Sequence, residues 1–162
     1  MDRPSQRRFD TYVEYRAAML AALGFATRTL VIFDPDLRES GIENPAAIAA
    51  LESLCRASPR RDAVRIVVRS IDFVERECPR LVALIGAFGH CAGVRVSSPP
   101  FRNWSRPFLV ADERHLVTRF DQDRPRGKVG IDDLRSVSPL LAQFETMWIS
   151  GESTRASVPL GI

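Results

Sequence analysis

Three stretches of strand length stand out in the first two thirds of the chain: TLVIF at 29–33, AVRIVVRS at 63–70 and GVRVSS at 93–98. In TLVIF the apolar side chains do not alternate with polar ones, the pattern of a strand covered on both faces. The turn-prone Asp34-Pro35-Asp36 follows it. Between the strands the period becomes helical. Apolar residues at 9, 12, 13, 17, 20 and 23 predict a helix from Phe9 to about Phe25 with one buried stripe. Asn44-Pro45 reads as an N-cap followed by proline at the first helical position, opening a helix that Ser58-Pro59 stops. Asp72 is placed to cap a helix through FVERE, which Pro79 interrupts and restarts as PRLVALIGAFGH.

The Pro99-Pro100 pair breaks the alternation. PFLVAD and HLVTRF then read as adjacent strands of a hairpin around Glu113-Arg114, and GKVGI as a short edge strand. Ser138-Pro139 opens a closing helix with Leu140, Leu141, Phe144, Met147 and Trp148 as its apolar positions, and Phe144/Trp148 share one core-facing side. Residues 1–8 and 151–162 read as flexible tails around one domain over 9–150. Helix and strand alternate three times before the hairpin and final helix. That order predicts an α/β fold, a mixed β-sheet flanked by helices on both faces.

Composition narrows the class. A net charge of +3 on 162 residues excludes a polybasic nucleic-acid coat, and 45% hydrophobic residues suffice for a sizeable core. The basic residues are 22 arginines and one lysine, Lys128. Arginine is the better bidentate partner of carboxylate and phosphate, although a GC-rich coding sequence produces the same bias. Cys55, Cys78 and Cys91 are odd in number, form no C-x-x-C pair and have no histidine at zinc-ligand spacing. Neither metal nor cofactor is expected, and a reducing, cytoplasmic location is. Asp10, Glu14 and Arg16 interrupt the N-terminal apolar stretch, against a signal peptide. The runs AAMLAALGFA and LVALIGAFG reach about half of the ~20 residues that span a bilayer, so no membrane insertion is expected.

The order of elements, with TLVIFDPDL, VRIVV, VRV, the hairpin and a closing F-x-x-x-W helix (Phe144, Trp148), resembles one half of the phospholipase D superfamily fold over residues 9–150. The resemblance implies a catalytic H-x-K-x(4)-D motif in the hairpin with G-S-x-N beyond it. There the histidine attacks phosphorus while lysine and asparagine donate to the phosphoryl oxygens. Aligned on Asp112, this chain places Ser105 in the histidine slot and Pro107 in the lysine slot. Arg119, Phe120 and Gln122 fall in the glycine, serine and asparagine slots. Proline holds no charge, and Ser105 has no adjacent base. The motif is absent.

His115 is the one histidine of the hairpin, and alternation puts His115, Val117 and Arg119 on one face with Leu116, Thr118 and Phe120 on the other. A His115/Asp112 pair across the turn is the catalytic candidate. Using Arg106 and Arg119, it would make a divergent phosphodiesterase or phosphatidyltransferase, active as a dimer. The ordinary reading is a solvent-facing or structurally bonded histidine. Residues 102–128 carry seven basic and four acidic side chains, the whole net charge of the chain. Asn103, Ser105, Arg106, Arg114 and Arg119, with the Trp104 ring beside them, are the candidates for phosphate or base contact. A solvated edge that resists strand-to-strand association accounts for the same charges, as does a protein-partner surface. Asp34 and Asp36 lie where open α/β sheets bind ligands, yet two carboxylates are too few for a metal, and turn-capping roles are expected. The expected function is a non-catalytic phospholipase D-like binding or accessory module. A homodimer is implied because halves of this fold pack in pairs, and the partner is a phosphate-containing ligand, nucleic acid or another protein.

Overall fold

The computed structural model describes residues 5–58, 60–101 and 103–154, and its strands form one mixed sheet. The strands are β1 (Ser5–Phe9), β2 (Leu30–Asp34), β3 (Val64–Val68), β4 (Ala92–Val96), β5 (Phe108–Ala111), β6 (His115–Arg119), β7 (Gly127–Ile131) and β8 (Glu152–Ser153). Their spatial order is β1-β7-β6-β5-β2-β3-β4-β8. β2, β3 and β4 run parallel, joined by helical crossovers, and the remaining pairings are antiparallel. Helices α1 (Tyr12–Phe25), α2 (Pro45–Ala57), α3 (Asp72–Glu77) and α4 (Pro79–Ala87) pack on one face, and α5 (Leu134–Ser150) covers the other. This explains the unalternated β2: Leu30 and Ile32 enter the first core, Val31 and Phe33 the second. In the second core the Phe144 and Trp148 rings stack at 6.2 Å. Among the described residues no helix is long and apolar enough to cross a membrane.

Several elements differ from the sequence expectation. Ser5–Phe9, mostly assigned to a flexible tail, is the sheet's edge strand, so β7 is an interior strand and not the edge. The fit depends on glycine: a Cβ on Gly127 would lie 2.0 Å from the Thr118 carbonyl oxygen and 2.5 Å from the Phe9 ring. At the other end Glu152–Ser153, also expected as tail, pairs with β4, while residues 155–162 lie outside the described residues. Helix α5 begins at Leu134, not at Ser138-Pro139, because Asp133 caps it by accepting from the Ser136 amide at 3.3 Å. Pro139 therefore sits inside the helix. Asp72 lies in the first turn of α3 and makes no cap bond. On α1 the buried face is Tyr15, Ala18, Met19, Ala22 and Leu23; of the predicted stripe only Leu23, with Phe9 ahead of the helix, is buried, and Val13 is 74% exposed. From Ala17 onward α1 is apolar all round, so periodicity could not single out a face.

A cleft at the open end of the hairpin

The C-terminal ends of β2 and β6 and the first turn of α1 meet at a cleft of about 320 Å³, lined by Tyr12, Asp34, Asp36, Arg69, Arg119 and Gln122 among others. Its floor is an ion pair. Arg119, 2% exposed, lies with its Nη2 3.5 Å from Oδ2 of Asp34, itself 1% exposed. The guanidinium stands over the Tyr15 ring at 4.8 Å and the Tyr12 ring at 5.7 Å. Its Nη1 donates to the Gln122 carbonyl at 2.8 Å. Asp34 Oδ1 accepts from the amides of Asp36 and Leu37 at 3.1 and 2.8 Å, the turn-capping role expected of it. Asp36 likewise accepts from the Arg38 amide at 2.9 Å.

Burial pushes the Asp34 carboxyl above the ordinary carboxylate range, against the opposing pull of the Leu37 and Asp36 amides and of Arg119. Burial pulls Arg119 down, but Tyr15 and Asp34 outweigh it and hold the guanidinium protonated. The Tyr15 phenol is pushed up by burial and stays neutral. Within this pair Oδ2 of Asp34 and Nε of Arg119 are buried without a hydrogen-bond partner among the described residues. No imidazole lines the cleft.

The remaining sequence candidates do not converge there. Asp112 sits at the turn end of the hairpin, clamped by three successive amides: its Oδ1 accepts from Thr27, Arg28 and Thr29 at 3.1, 2.7 and 3.1 Å. His115 accepts at Nδ1 from the Asp132 amide at 3.2 Å, and its ring lies 6.2 Å from that of Phe25. Among the described residues no hydrogen bond or ion pair joins His115 to Asp112, whose carboxylate is engaged by Thr27–Thr29. Arg114 is ion-paired with Asp132, also at the turn end. At a strand rise of about 3.4 Å per residue, His115 and Arg119 are roughly 13 Å apart. The single arginine patch read from sequence is thus divided between two ends of β6.

At the open end, Asn103 and Ser105 are exposed, and Arg106 donates its Nε to Thr118 Oγ1 at 3.1 Å. Trp104 packs on the second core and donates its indole N–H to the Arg106 carbonyl at 3.1 Å. Pro107 is buried, and its carbonyl accepts from the Arg119 amide at 3.1 Å and from the Thr118 hydroxyl at 2.8 Å. Arg102 lies outside the described residues. The sequence reading missed the union of Asp34, Arg119, Tyr12 and Tyr15. Two signals pointed to it: the acidic rim after β2, and the place of Arg119 on the same face as the apolar Val117.

The sequence profile of the family described as "Domain of unknown function (DUF7931)" matches residues 11–156. The chain belongs to this family. No curated protein matches the DUF7931 chain by sequence. Its fold is that of phospholipase D family members. Nuc from Salmonella typhimurium, described as one, superposes with a TM-score of 0.64 at 15% identity, covering 94% of this chain and 99% of Nuc. NucT from Helicobacter pylori gives 0.63 at 10% identity, covering 94% and 100%. TrmBL2, an archaeal chromatin protein described as showing a novel mode of DNA binding, gives 0.67 at 15% identity. That match covers 92% of the DUF7931 chain and 54% of TrmBL2, so the chain spans about half the length of that relative.

Proposed function

We propose that this DUF7931 domain is a phospholipase D-like module that binds rather than hydrolyses, with nucleic acid as its partner. The observation that carries the proposal is the Arg119–Asp34 pair, which forms the floor of the cleft at the open end of the hairpin, where the superfamily resemblance would place the reactive groups. Phosphoryl transfer through a phosphohistidine needs an imidazole positioned with donors for the equatorial oxygens. Ser105, Pro107 and Arg119 supply no nucleophile activated by a neighbouring base. The enzyme reading, through His115 with Arg106 and Arg119, requires groups that stand at opposite ends of β6.

Nucleic acid is favoured over a small phosphate ligand for two reasons. Arginines line an open surface beside an exposed aromatic, and the fold is shared with a DNA-binding chromatin protein. The module acts as a homodimer in this reading, supported by the exposed apolar side chains of Val13, Leu20 and Phe25 along α1. A cytoplasmic setting agrees with three buried free thiols. The test is incubation of end-labelled DNA with the purified protein, followed by native and denaturing electrophoresis. Retarded, intact DNA is the expected result. Shortened products would overturn the non-catalytic reading, and unretarded DNA the nucleic-acid reading.

A further inference from the structure

Phe120 follows Arg119 at the end of β6, and alternation turns its ring to the face opposite the Arg119 cleft. The ring is 42% exposed, so one side of it is open to a ligand. Its backbone is held in place, since the Phe120 amide donates to the Arg126 carbonyl at 2.9 Å. Around it stand guanidinium groups from separate segments: Arg8 of β1 with its Cζ 5.8 Å from the ring centroid, and Arg106 at 5.9 Å. Arg8 and Arg126 also line, with Phe120, Phe9, Gly127 and Asp10, a cleft of about 350 Å³.

Among the described residues Arg8, Arg106 and Arg126 make no ion pair, whereas Arg16, Arg65, Arg114 and Arg119 each have a carboxylate partner. Arg106 is anchored at Nε by Thr118, and no hydrogen bond or ion pair engages its outer guanidinium nitrogens among the described residues. Burial draws the Arg106 guanidinium down from its usual value, with no carboxylate to offset it. Both guanidinium groups stand over the ring at the outer limit of cation–π range. Arg95 closes on Trp148 at 4.0 Å, but Arg8 and Arg106 stand off Phe120 by almost 6 Å. A planar base between ring and guanidinium needs roughly 7 Å, twice the van der Waals spacing, so a side-chain shift of about 1 Å admits one.

We propose that Phe120 is a stacking platform for one base of single-stranded nucleic acid, with Arg8, Arg106 and Arg126 taking the flanking phosphates. This rests on the reading of the domain as a nucleic-acid-binding module and narrows it to a strand type and a site. A single strand is selected because a base must leave its own stack to lie on the ring, which a duplex does not allow without unpairing. The one carboxylate in the cleft, Asp10, lies at its rim toward α1 and lowers affinity for a backbone passing on that side.

The experiment is fluorescence anisotropy with a labelled oligodeoxythymidylate of about 12 nucleotides, within the ~4–16 typical of single-strand sites. A duplex of equal length is measured alongside. The expected result is preference for the single strand, with Phe120→Ala weakening it about 5- to 150-fold and Phe120→Trp retaining binding. Arg8→Gln and Arg106→Gln each reduce the log–log salt slope by about 0.7. Arg114→Gln, at the far end of β6, leaves the slope unchanged. Phe120 and Arg8 are exposed, so their variants fold, and circular dichroism checks this for every variant, the half-buried Arg106→Gln included. Equal binding of duplex and single strand with no effect of Phe120→Ala overturns this site while leaving the broader nucleic-acid reading in place. Failure of both to bind overturns both.

Discussion

Asp112 is the one motif-slot residue that this chain keeps, and the structure gives it an architectural task whose size can be worked out. Its carboxylate, 7% exposed, accepts from the Arg28, Thr29 and Thr27 amides and from the Thr27 hydroxyl, while its own amide donates to the Thr29 carbonyl at 2.8 Å. The hairpin turn is thereby stapled to the strand entry of β2. Hydrogen bonds to a charged group contribute about 1.5–3 kcal/mol each, and three amides would sum to more than they deliver. Thr27 and Arg28 are exposed, so water recovers part of the loss, and removing the carboxylate should cost about 2–4 kcal/mol. Asp112 also has φ of 54°, which Asn tolerates and Ala does not; Asp112→Ala therefore adds about 1 kcal/mol of backbone strain. Urea unfolding of wild type, Asp112→Asn and Asp112→Ala measures both parts. In thermal unfolding of the same three proteins the midpoint temperature should fall by about 2–4 °C per kcal/mol lost. Burial raises the Asp112 pKa, but the Arg28, Thr29 and Thr27 amides together lower it more, so the folded value lies below the unfolded one near ~3.9. Its stabilisation is then fully present above pH ~4 and is lost as the pH falls through the folded pKa. A variant Asp112→Asn within about 0.5 kcal/mol of wild type, with an unchanged acid limb, would refute the clamp.

Other consequences are as direct. Gly127→Ala should lose about 2–4 kcal/mol in urea unfolding, because its Cβ would collide with the Thr118 carbonyl and the Phe9 ring and displace β1; an effect below 0.5 kcal/mol would mean β1 is not seated as described. Arg119→Met leaves Asp34 buried without its cation and should cost about 3–5 kcal/mol at pH 7, while adding Asp34→Asn restores part of it. Because burial raises the Asp34 pKa above its unfolded value, the native state of Arg119→Met takes up a proton that the unfolded state releases. Its stability should therefore rise as the pH is lowered from 7 towards 4, and a flat profile would contradict this. Cys78 is pushed up to about 11 by burial and by Glu43 and Glu77, and Cys55 is likewise raised by burial and by Cys91. A thiol-reactive disulfide reagent at pH 8 should label no cysteine of the native protein and all three after denaturation; one fast-reacting native thiol would count against the buried assignment.

The parts of the fold legible in sequence are those where local chemistry and tertiary packing agree. Leu30–Asp34 reads as a doubly covered strand because both of its faces are apolar, and Asn44-Pro45 marks the start of α2 because its side chain accepts from the Ala46 amide at 2.8 Å. β1 was illegible for the opposite reason. Of its five residues only Phe9 is buried, and what recruits it is the bare backbone of Gly127, more than a hundred residues away. Pro139 misled because proline usually stands at a helix start, whereas Asp133 had already capped α5. The candidate site was half legible. The absence of the catalytic motif could be read slot by slot. Arg119, however, looks like any hairpin arginine until Tyr12, Tyr15 and Asp34 arrive from α1 and β2 to bury it. Phe120 gains Arg8 only once β1 is known to exist.

The claim on which the rest depends is that neither end of the hairpin holds a phosphoryl-transfer centre. Steady-state hydrolysis of bis-(p-nitrophenyl) phosphate by wild type and His115→Ala, at equal protein concentration and with fold verified, tests it most directly. The two proteins should give the same rate as buffer alone. Turnover by wild type that His115→Ala abolishes would place the reactive imidazole at the turn end of β6 and contradict the account.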